Sequence, residues 1–372
     1  MSEPTPSSSP WSTDSAKHGA EWLSSQGAEP DVVISSRVRL ARNLRQVPFL
    51  VRCSDVQREQ ILTLVRGAVA AAQLGQQVLW VDVHRLSPVE RLLLVERHLM
   101  SKEHAKGESP RGLAVSLPDE RLSLMVNEED HLRLQVLRSG LALTDAYRQL
   151  DEADDRLEEH LDFAYSPRFG YLTACPTNVG TASRMSVMLH LPALRLVGEV
   201  EKVKRAAKDM GLALRGFYGE GSEAAGDLYQ VSNQVTLGKP ETVFVHELEH
   251  EIIPRVVEYE RAARAALIEK HRRFIEDSVW RTLGVLRSSR LLAPDEAMSL
   301  LSLTRLGVIG GLIDGISEQA VTQLWVQVQQ AHLQRTAGGG GAGGGGSGGG
   351  GGELDQQRRR ELRADLVRER LK

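Results

Sequence analysis

Thirteen of the 15 residues from Gly338 to Gly352 are glycine. Glycine this dense has nothing to bury and the most backbone entropy to lose, so the stretch reads as a flexible tether outside any packed core. The 372-residue chain must therefore complete its core before the tether and reach its last residues across it. Five segments follow. Residues 1–20 are Ser/Pro-rich, lack an apolar run and are expected to be disordered. Residues 21–240 alternate strand and helix signals, residues 241–334 are helical, residues 335–352 are the linker, and residues 353–372 form a short helix with seven basic and five acidic side chains. Composition supports a docking or regulatory role for that last helix and an unstructured tail equally.

Within residues 21–240, Val32–Ile34, Gln77–Val81 and Leu122–Val126 are strand candidates. Pro88–Met100 carries leucines at helical spacing, and Leu141–Leu161 reads as an acidic amphipathic helix. The region is an α/β domain whose strand order the sequence does not determine. From Phe244 the apolar residues Leu248, Ile252, Val256, Tyr259, Ala263 and Leu267 keep a period of three to four and strand signals are nearly absent, so the region reads as a second, all-helical domain.

Charge excludes several classes. Lys plus Arg is 46 and Asp plus Glu is 49, a net charge of −3, so bulk electrostatics favour neither nucleic acid nor a membrane surface. Two cysteines, Cys53 and Cys175, make no disulfide framework and fit a reducing compartment. No apolar run reaches the ~18 residues of a spanning helix, and the N-terminus lacks the basic and apolar regions of a secretory signal. A cytoplasmic protein is expected.

Neither a G-x-x-x-x-G-K-[ST] loop nor an H-R-D loop is present. Four other segments place polar chemistry beside apolar strands: Ser35-Ser36-Arg37-Val38-Arg39, Asn127-Glu128-Glu129-Asp130-His131-Leu132-Arg133, Cys175 to Thr181 with Arg184, and Arg215 to Glu223. Arg37 and Arg39, two apart on a strand, face one side, and two guanidinium forks on one side suit a polyphosphate. The glycine-rich stretch from Arg215 to Glu223 reads as a loop carrying carboxylates over a site. Taken singly, each has a bland reading as surface salt bridges or a turn.

Together, and in this order, the four segments resemble the catalytic domain of the phosphagen (guanidino) kinase family over about residues 30–240. Ser35 to Asn43, Val187 to Leu194 (VMLHLPAL), Tyr218 to Ala224 (YGEGSEA) and Ser232 to Lys239 resemble that family's bacterial protein-arginine kinase branch. The resemblance implies an antiparallel sheet flanked by helices, followed by an all-helical dimerisation domain. It implies ATP and Mg²⁺ as cofactors, with the nucleotide held along Ser35, Ser36, Arg37, Val38, Arg39, Arg133, Arg184, Met185, Ser186, Val187, Met188, Arg215, Gly216, Phe217, Tyr218, Gly219 and Glu220, and His98 against its base. Glu129 becomes the catalytic carboxylate, Glu220 or Glu223 the second, and Cys175 a neighbour of the substrate guanidinium.

The chemistry explains these residue types. A guanidinium has a pKa above about 12 and is a poor nucleophile while charged. Two carboxylates pin its fork and one accepts the departing proton. The transferring phosphoryl group spreads charge over its oxygens, so arginine clamps and positioning supply most of the catalysis.

Two substrates compete. Small-molecule guanidino kinases carry a helical domain before the catalytic one, whereas only about 34 residues precede Ser35 here, and Tyr218 stands where those relatives place another arginine. Both features favour arginine on a protein, with a homodimer, a zinc-binding activator and a Clp-type ATPase as implied partners and protein degradation as the implied outcome. In the tail, the family's R-D-x-x-R-A phosphoarginine motif reads Arg359-Arg360-Glu361-Leu362-Arg363-Ala364. Arg359 and Arg363 remain as regulatory phosphate ligands, while Arg360 replaces the acidic residue and opposes a guanidinium there. A catalytically dead phosphoarginine adaptor is a further reading that the retained carboxylates and arginines oppose. His246-Glu247-Leu248-Glu249-His250 fits the zinc helix H-E-x-x-H, but Pro254 four residues later and its place in the helical region argue against a zinc hydrolase; no metal site is expected.

Overall fold

The protein is described by a computed structural model covering residues 20–216, 225–339 and 354–372. The β-branched run at Val32–Ile34 opens a longer strand than its apolar residues suggest, because the alternation continues through the arginines to give β1 (Val33–Arg42). The others are β2 (Gln77–Asp82), β3 (Gly112–Leu117), β4 (Leu122–Val126), β5 (Leu132–Ser139), the short pair β6 (Tyr165–Ser166) and β7 (Gly170–Tyr171), β8 (Ser183–His190), β9 (Leu212–Gly216) and β10 (Leu228–Asn233). Eight of them form one sheet in the order β2-β3-β4-β5-β1-β8-β10-β9. Every neighbouring pair is antiparallel, as expected of the family.

The helices are α1 (Asp55–Ala72), α2 (Pro88–Glu96), α3 (Lys102–Lys106), α4 (Leu143–Glu158), α5 (Pro192–Leu196), α6 (Val200–Asp209), α7 (Glu241–His246), α8 (Ile253–Ser288), α9 (Pro294–Ile309), α10 (Glu318–Gln327), α11 (Gln330–Gly339) and α12 (Gln356–Arg370). Local chemistry starts several of them. Ser54 with Gln57 and Ser87 with Glu90 form capping boxes on α1 and α2, and Pro88 occupies the first turn of α2, where its missing N–H costs nothing. Among the described residues no helix is long and apolar enough to cross a membrane.

Strand alternation gives the sheet two different faces. Val38, Leu40, Leu134, Val136, Met185, Val187 and Val231 point to the back, where α1, α4 and α6 cover them with Val65, Val69, Leu150, Leu157 and Val203. Each such large side chain contributes about 1.5–3 kcal/mol by leaving water. The polar face carries the arginines.

The long helix keeps most of the apolar series from Phe244 to Leu267 inside: Leu248 and Leu267 are buried, Phe244, Ile252, Val256 and Ala263 pack half-buried against the core, and Tyr259 alone of the seven is exposed. Residues Glu247–Ile252 form a π turn, which inserts one extra residue and rotates everything after it. The buried positions become Leu248, Ile253, Val257, Glu260, Arg264 and Leu267, while Tyr259 is exposed. The π turn also lets the helix pass Pro254. Val245, Leu248, Ile253 and Val257 belong to the core behind the sheet, and α8 breaks only at His271 (φ −129°). A second core beyond it joins Val279, Leu283, Leu286, Leu301 and Trp325, with Gly307 packed so tightly that a Cβ there would sit 2.3 Å from Val279 Cγ1. Residues 340–353 and 1–19 lie outside the described residues, and the expectations for the tether and the N-terminal tail fall there. The charged tail forms α12, seated on that second core by Ala364, Val367 and Leu371.

Candidate active site

Register assembles the cationic face. Arg39 lies opposite Arg184 on β8 and Gln135 on β5, Arg37 lies opposite Ser186, and Arg133 lies opposite Ala41. The four guanidiniums, drawn from β1, β5 and β8, are close enough to act on one another. Burial, then Arg133, brings Arg37 down to about 10. Burial, then Arg37, Arg133 and Arg184, pushes Arg39 well below its usual value, opposed by Glu128. Arg39 Nε is a buried donor with no acceptor. Crowded guanidiniums with an unanswered donor fit a polyanion, which would supply both the missing charge and the missing acceptor.

Partners hold the arginines. Arg37 donates from Nη2 to Gln230 Oε1 at 2.8 Å and from Nε to Ser186 Oγ at 3.4 Å. Arg184 Nη2 donates to Asn178 Oδ1 at 3.4 Å. Arg133 Nη1 lies 2.6 Å from Glu128 Oε2. Burial pushes the Glu128 carboxyl up, but Arg133 and hydrogen bonds from Ser101 and the Glu129 N–H carry it below its ordinary value. Glu128 therefore stays ionised to position Arg133.

Glu129 sits on the turn between β4 and β5. Asn127 starts that turn with φ +63°, and its side-chain amide holds the carbonyls of Arg58 and Pro110, each at 3.0 Å. Glu129 itself is exposed. Its carboxyl is raised by burial and by Asp130 and Glu128, against Arg133 and Arg184. A carboxylate with a raised pKa at the mouth of an arginine cluster can pin a guanidinium and take its proton. Cys175 is half-buried, with Sγ 3.0 Å from Thr177 Oγ1.

His98, at φ +61° just beyond α2, lines one cavity with Trp22, Ser35, Arg37, Ser186, Met188 and Gln230. Its ring meets Trp22 edge-on at 5.0 Å. Burial, with Arg37 and Lys102, pushes it down to about 3, so the imidazole is neutral. Arg215 pairs with Gln230 in register and so belongs to the same face; Gly216 follows it.

Four expected ligands turn away. Ser36 and Val38 alternate with the arginines, so Ser36 Oγ donates to Gly140 O at 2.8 Å and Val38 lies in the rear core. Met185 and Val187 alternate with Arg184 and Ser186 and are buried in the same core. Their side chains cannot reach the face that carries Arg37. Phe217, Tyr218, Gly219, Glu220 and Glu223 lie outside the described residues. In the tail, Arg363 is buried and spends Nε on Val328 O and Nη1 on Leu292 O, both at 2.8 Å. It seats the helix by those two bonds and, with Lys102, Arg359 and Arg360, also lines a cavity of about 390 Å³.

The histidines of the H-E-x-x-H motif lie side by side, and its carboxylates have other partners. His246 and His250 lie with ring centroids 4.9 Å apart, but Glu247 pairs with Lys239 and Glu249 accepts from Thr144 N at 2.8 Å. Among the described residues no group of three His, Cys, Asp or Glu side chains can hold a metal. The structure adds Gln230, Glu128, Asn43 and Gln135, which hold Arg37, Arg133, Asp130 and the His98 carbonyl. Gln230 was findable, since it lies two residues before Ser232 and alternation puts both on one face.

Comparison with known proteins agrees with this geometry. Residues 60–263 match the family model of the ATP:guanido phosphotransferase C-terminal catalytic domain, and residues 272–372 match that of the protein-arginine kinase McsB C-terminal domain. The protein-arginine kinase of Symbiobacterium thermophilum is 44% identical over 331 residues, covering 88% of this chain and 93% of that one. That of Brevibacillus brevis is 40% identical over 365 residues, covering 98% and 96%. Among solved structures, the duplicated taurocyamine kinase of Schistosoma mansoni, with bound transition-state analogue components, is 26% identical with a TM-score of 0.53, over 62% of this chain and 33% of that one. Lombricine kinase, 24% identical with a TM-score of 0.56 over 70% and 74%, shares the fold. The arginine-lined sheet, the carboxylate at its mouth and the helical region behind it thus belong to a kinase, and the chain is a member of the protein-arginine kinase family of ATP:guanido phosphotransferases.

Proposed function

We propose that this kinase transfers the γ-phosphoryl group of ATP to the guanidinium of arginine side chains on proteins. The observation that carries the reading is the convergence of Arg37, Arg39, Arg133 and Arg184 on one face beside an exposed Glu129 of raised pKa. The arginines hold the phosphates and spread the charge of the transferring group. Glu129 aligns the substrate fork and takes the proton that the attacking nitrogen loses. Glu220 or Glu223 supplies the second carboxylate, and Cys175 lies against the guanidinium.

Magnesium fits this site through nucleotide oxygens and water, since a small hard cation keeps several waters and the described residues offer no three-ligand cage. When bound it neutralises phosphate charge. The match of residues 272–372 to the protein-arginine kinase C-terminal domain favours protein arginine over a free guanidino compound. A homodimer through the helical region, a zinc-binding activator, a Clp-type ATPase that degrades the marked proteins, and a cytoplasmic location complete the reading. Arg359, with Lys102 beside it, is the candidate for recognising a phosphoryl group on the tail.

The test is phosphoarginine detection by mass spectrometry under non-acidic conditions, with Mg-ATP and either an arginine-rich protein or free arginine. Modified protein, lost in Glu129→Gln, is expected. Modification of free arginine alone would move the chain to the small-molecule branch, and reaction with neither would overturn the kinase reading.

A further inference from the structure

Three consecutive residues at the end of α2 are anchored in three different places. Glu96, buried in the interior, accepts the Ala331 N–H at 2.9 and 3.1 Å on its two oxygens and the His332 N–H at 3.1 Å on Oε2. His332 Nδ1 lies 2.8 Å from that same Oε2. Arg97 donates from Nε and Nη2 to Glu120 Oε2 at 3.0 and 2.7 Å. The carbonyl of His98 accepts from Gln135 Nε2 at 2.6 Å, on the strand that carries Arg133.

Ala331 and His332 belong to the first turn of α11. Their N–H groups are among those a helix leaves unsatisfied at its start, where the positive end of its dipole favours an anion. The Glu96 carboxylate meets that need from another part of the chain, 235 and 236 residues away in sequence. Ala331 is packed into the same apolar cluster as Leu93, Leu94, Leu99 and Met100, so the joint is dry and its charge-assisted bonds are strong.

Only Arg97 separates Glu96 from His98. The backbone between them is tightly bonded: Arg97 N to Leu93 O at 3.0 Å, His98 N to Val95 O at 2.9 Å and Leu99 N to Leu94 O at 3.0 Å. A shift at Glu96 therefore reaches His98 with little slack, while Arg37, Arg39, Arg133 and Arg184 are carried by strands of the sheet, which this segment meets through Gln135 on β5 and not through Glu96.

We propose that Glu96 is a positioning residue for the nucleotide base: by capping α11 it fixes the end of α2, and with it His98, so the helical region sets the geometry of the base pocket. This rests on the nucleotide reading of the cleft.

The test separates base from phosphate recognition in the full-length protein. Binding of ATP and of inorganic tripolyphosphate, which has no base, is measured for the wild type, Glu96→Gln, His98→Ala and the double variant. Ser317→Ala, which removes the side-chain cap of α10, reports what destabilising the helical region does by itself. Loss of one well-made capping interaction corresponds to about a fivefold or larger loss of ATP affinity for Glu96→Gln. Tripolyphosphate binding stays unchanged, the double variant is no worse than His98→Ala, and Ser317→Ala lowers the melting temperature without touching either ligand. Equal ATP binding by Glu96→Gln and wild type would overturn the proposal, as would a parallel loss of both ligands. A wild type that binds neither ligand would instead remove the nucleotide reading on which the proposal stands. If Glu96→Gln fails to fold, His332→Gln loosens the same joint from its other side and is held to the same outcomes.

Discussion

Asp130 accepts the Asn43 side-chain amide at 2.6 Å on Oδ1, the same oxygen that takes the Ala174 N–H at 2.7 Å. Asn43 returns the bond through its own Oδ1, which accepts the His131 N–H at 3.0 Å. One buried carboxylate thereby ties the end of β1, the turn bearing Glu129 and the segment bearing Cys175. The two groups expected to face the substrate owe their relative placement to a residue that need not touch it.

Asp130→Ala removes that knot. The Ala174 N–H loses its acceptor, and Asn43 Nδ2 keeps only the Leu172 carbonyl at 3.0 Å. Unsatisfied buried donors cost about 1–3 kcal/mol each. A misplacement of roughly 1 Å at the reacting groups costs about a hundredfold in rate. Stability should therefore fall by about 2–4 kcal/mol in chemical denaturation. The single-turnover rate should fall about a hundredfold, with ATP affinity near the wild-type value because the phosphate arginines sit on strands. A comparable loss of ATP affinity would show that the knot supports the whole cleft.

Glu129 fixes the acid limb of the pH profile. Its carboxyl is raised above the ordinary glutamate value, first by burial, and only the ionised form pins a guanidinium and accepts its proton. Activity should be full above the raised pKa and disappear as pH falls through it, with a midpoint higher than an ordinary glutamate gives. Glu129→Gln should lose about 10²–10⁴-fold in kcat and lose this limb. An unchanged profile in the variant would place the proton acceptor elsewhere.

Much of this site was legible because its residues are contiguous. NEEDHLR and CPTNVGT carry Glu129, Arg133 and Cys175 in short strings, and turns keep such strings together in space. Alternation along β1 and β8 already contained the correction at Ser36, Val38, Met185 and Val187, since every second side chain must leave the arginine face. The π turn at Glu247–Ile252 left no such trace. One extra residue in a helical turn changes no composition, yet it brings Val257 and Glu260 to the centre of the buried face, leaves Val256 at its edge and exposes Tyr259. Pairings such as Arg37 with Gln230 and Glu96 with α11 join residues far apart in sequence and depend on a strand order that periodicity does not encode.

Arg39 links binding to instability. Burial and three neighbouring guanidiniums weigh on it, and its Nε lacks an acceptor. Arg39→Met relieves that repulsion and keeps the stem packed, so the nucleotide-free protein should melt higher than the wild type. ATP should then raise the melting temperature far less, with affinity down by about tenfold or more for one lost charge-assisted contact. Such opposition is usual where a site stores strain for its ligand. A variant that melts lower without nucleotide would show that Arg39 is held by partners that outweigh its neighbours.

Arg363 decides whether the tail stays seated. The helix Gln356–Arg370 follows a stretch of the sequence rich in glycine and packs on the second core through one face. Its seat combines Ala364, Val367 and Leu371 with two buried bonds from Arg363 to Val328 O and Leu292 O, and is closed by Leu292 N to Arg360 O at 3.1 Å, Arg287 Nε to Leu371 O at 2.6 Å and a bond from Arg368 to Ser289 O. Burial, then Arg359, brings the Arg363 guanidinium below its usual value, yet its removal takes a buried donor from both carbonyls. Arg363→Ala should cost about 2–4 kcal/mol in the docked state. Because the helix detaches locally, the loss should appear as backbone hydrogen exchange roughly a hundredfold or more faster across Gln356–Arg370, with β1, β5 and β8 as protected as before. Faster exchange in the sheet as well would mean that the tail is part of the cooperative core.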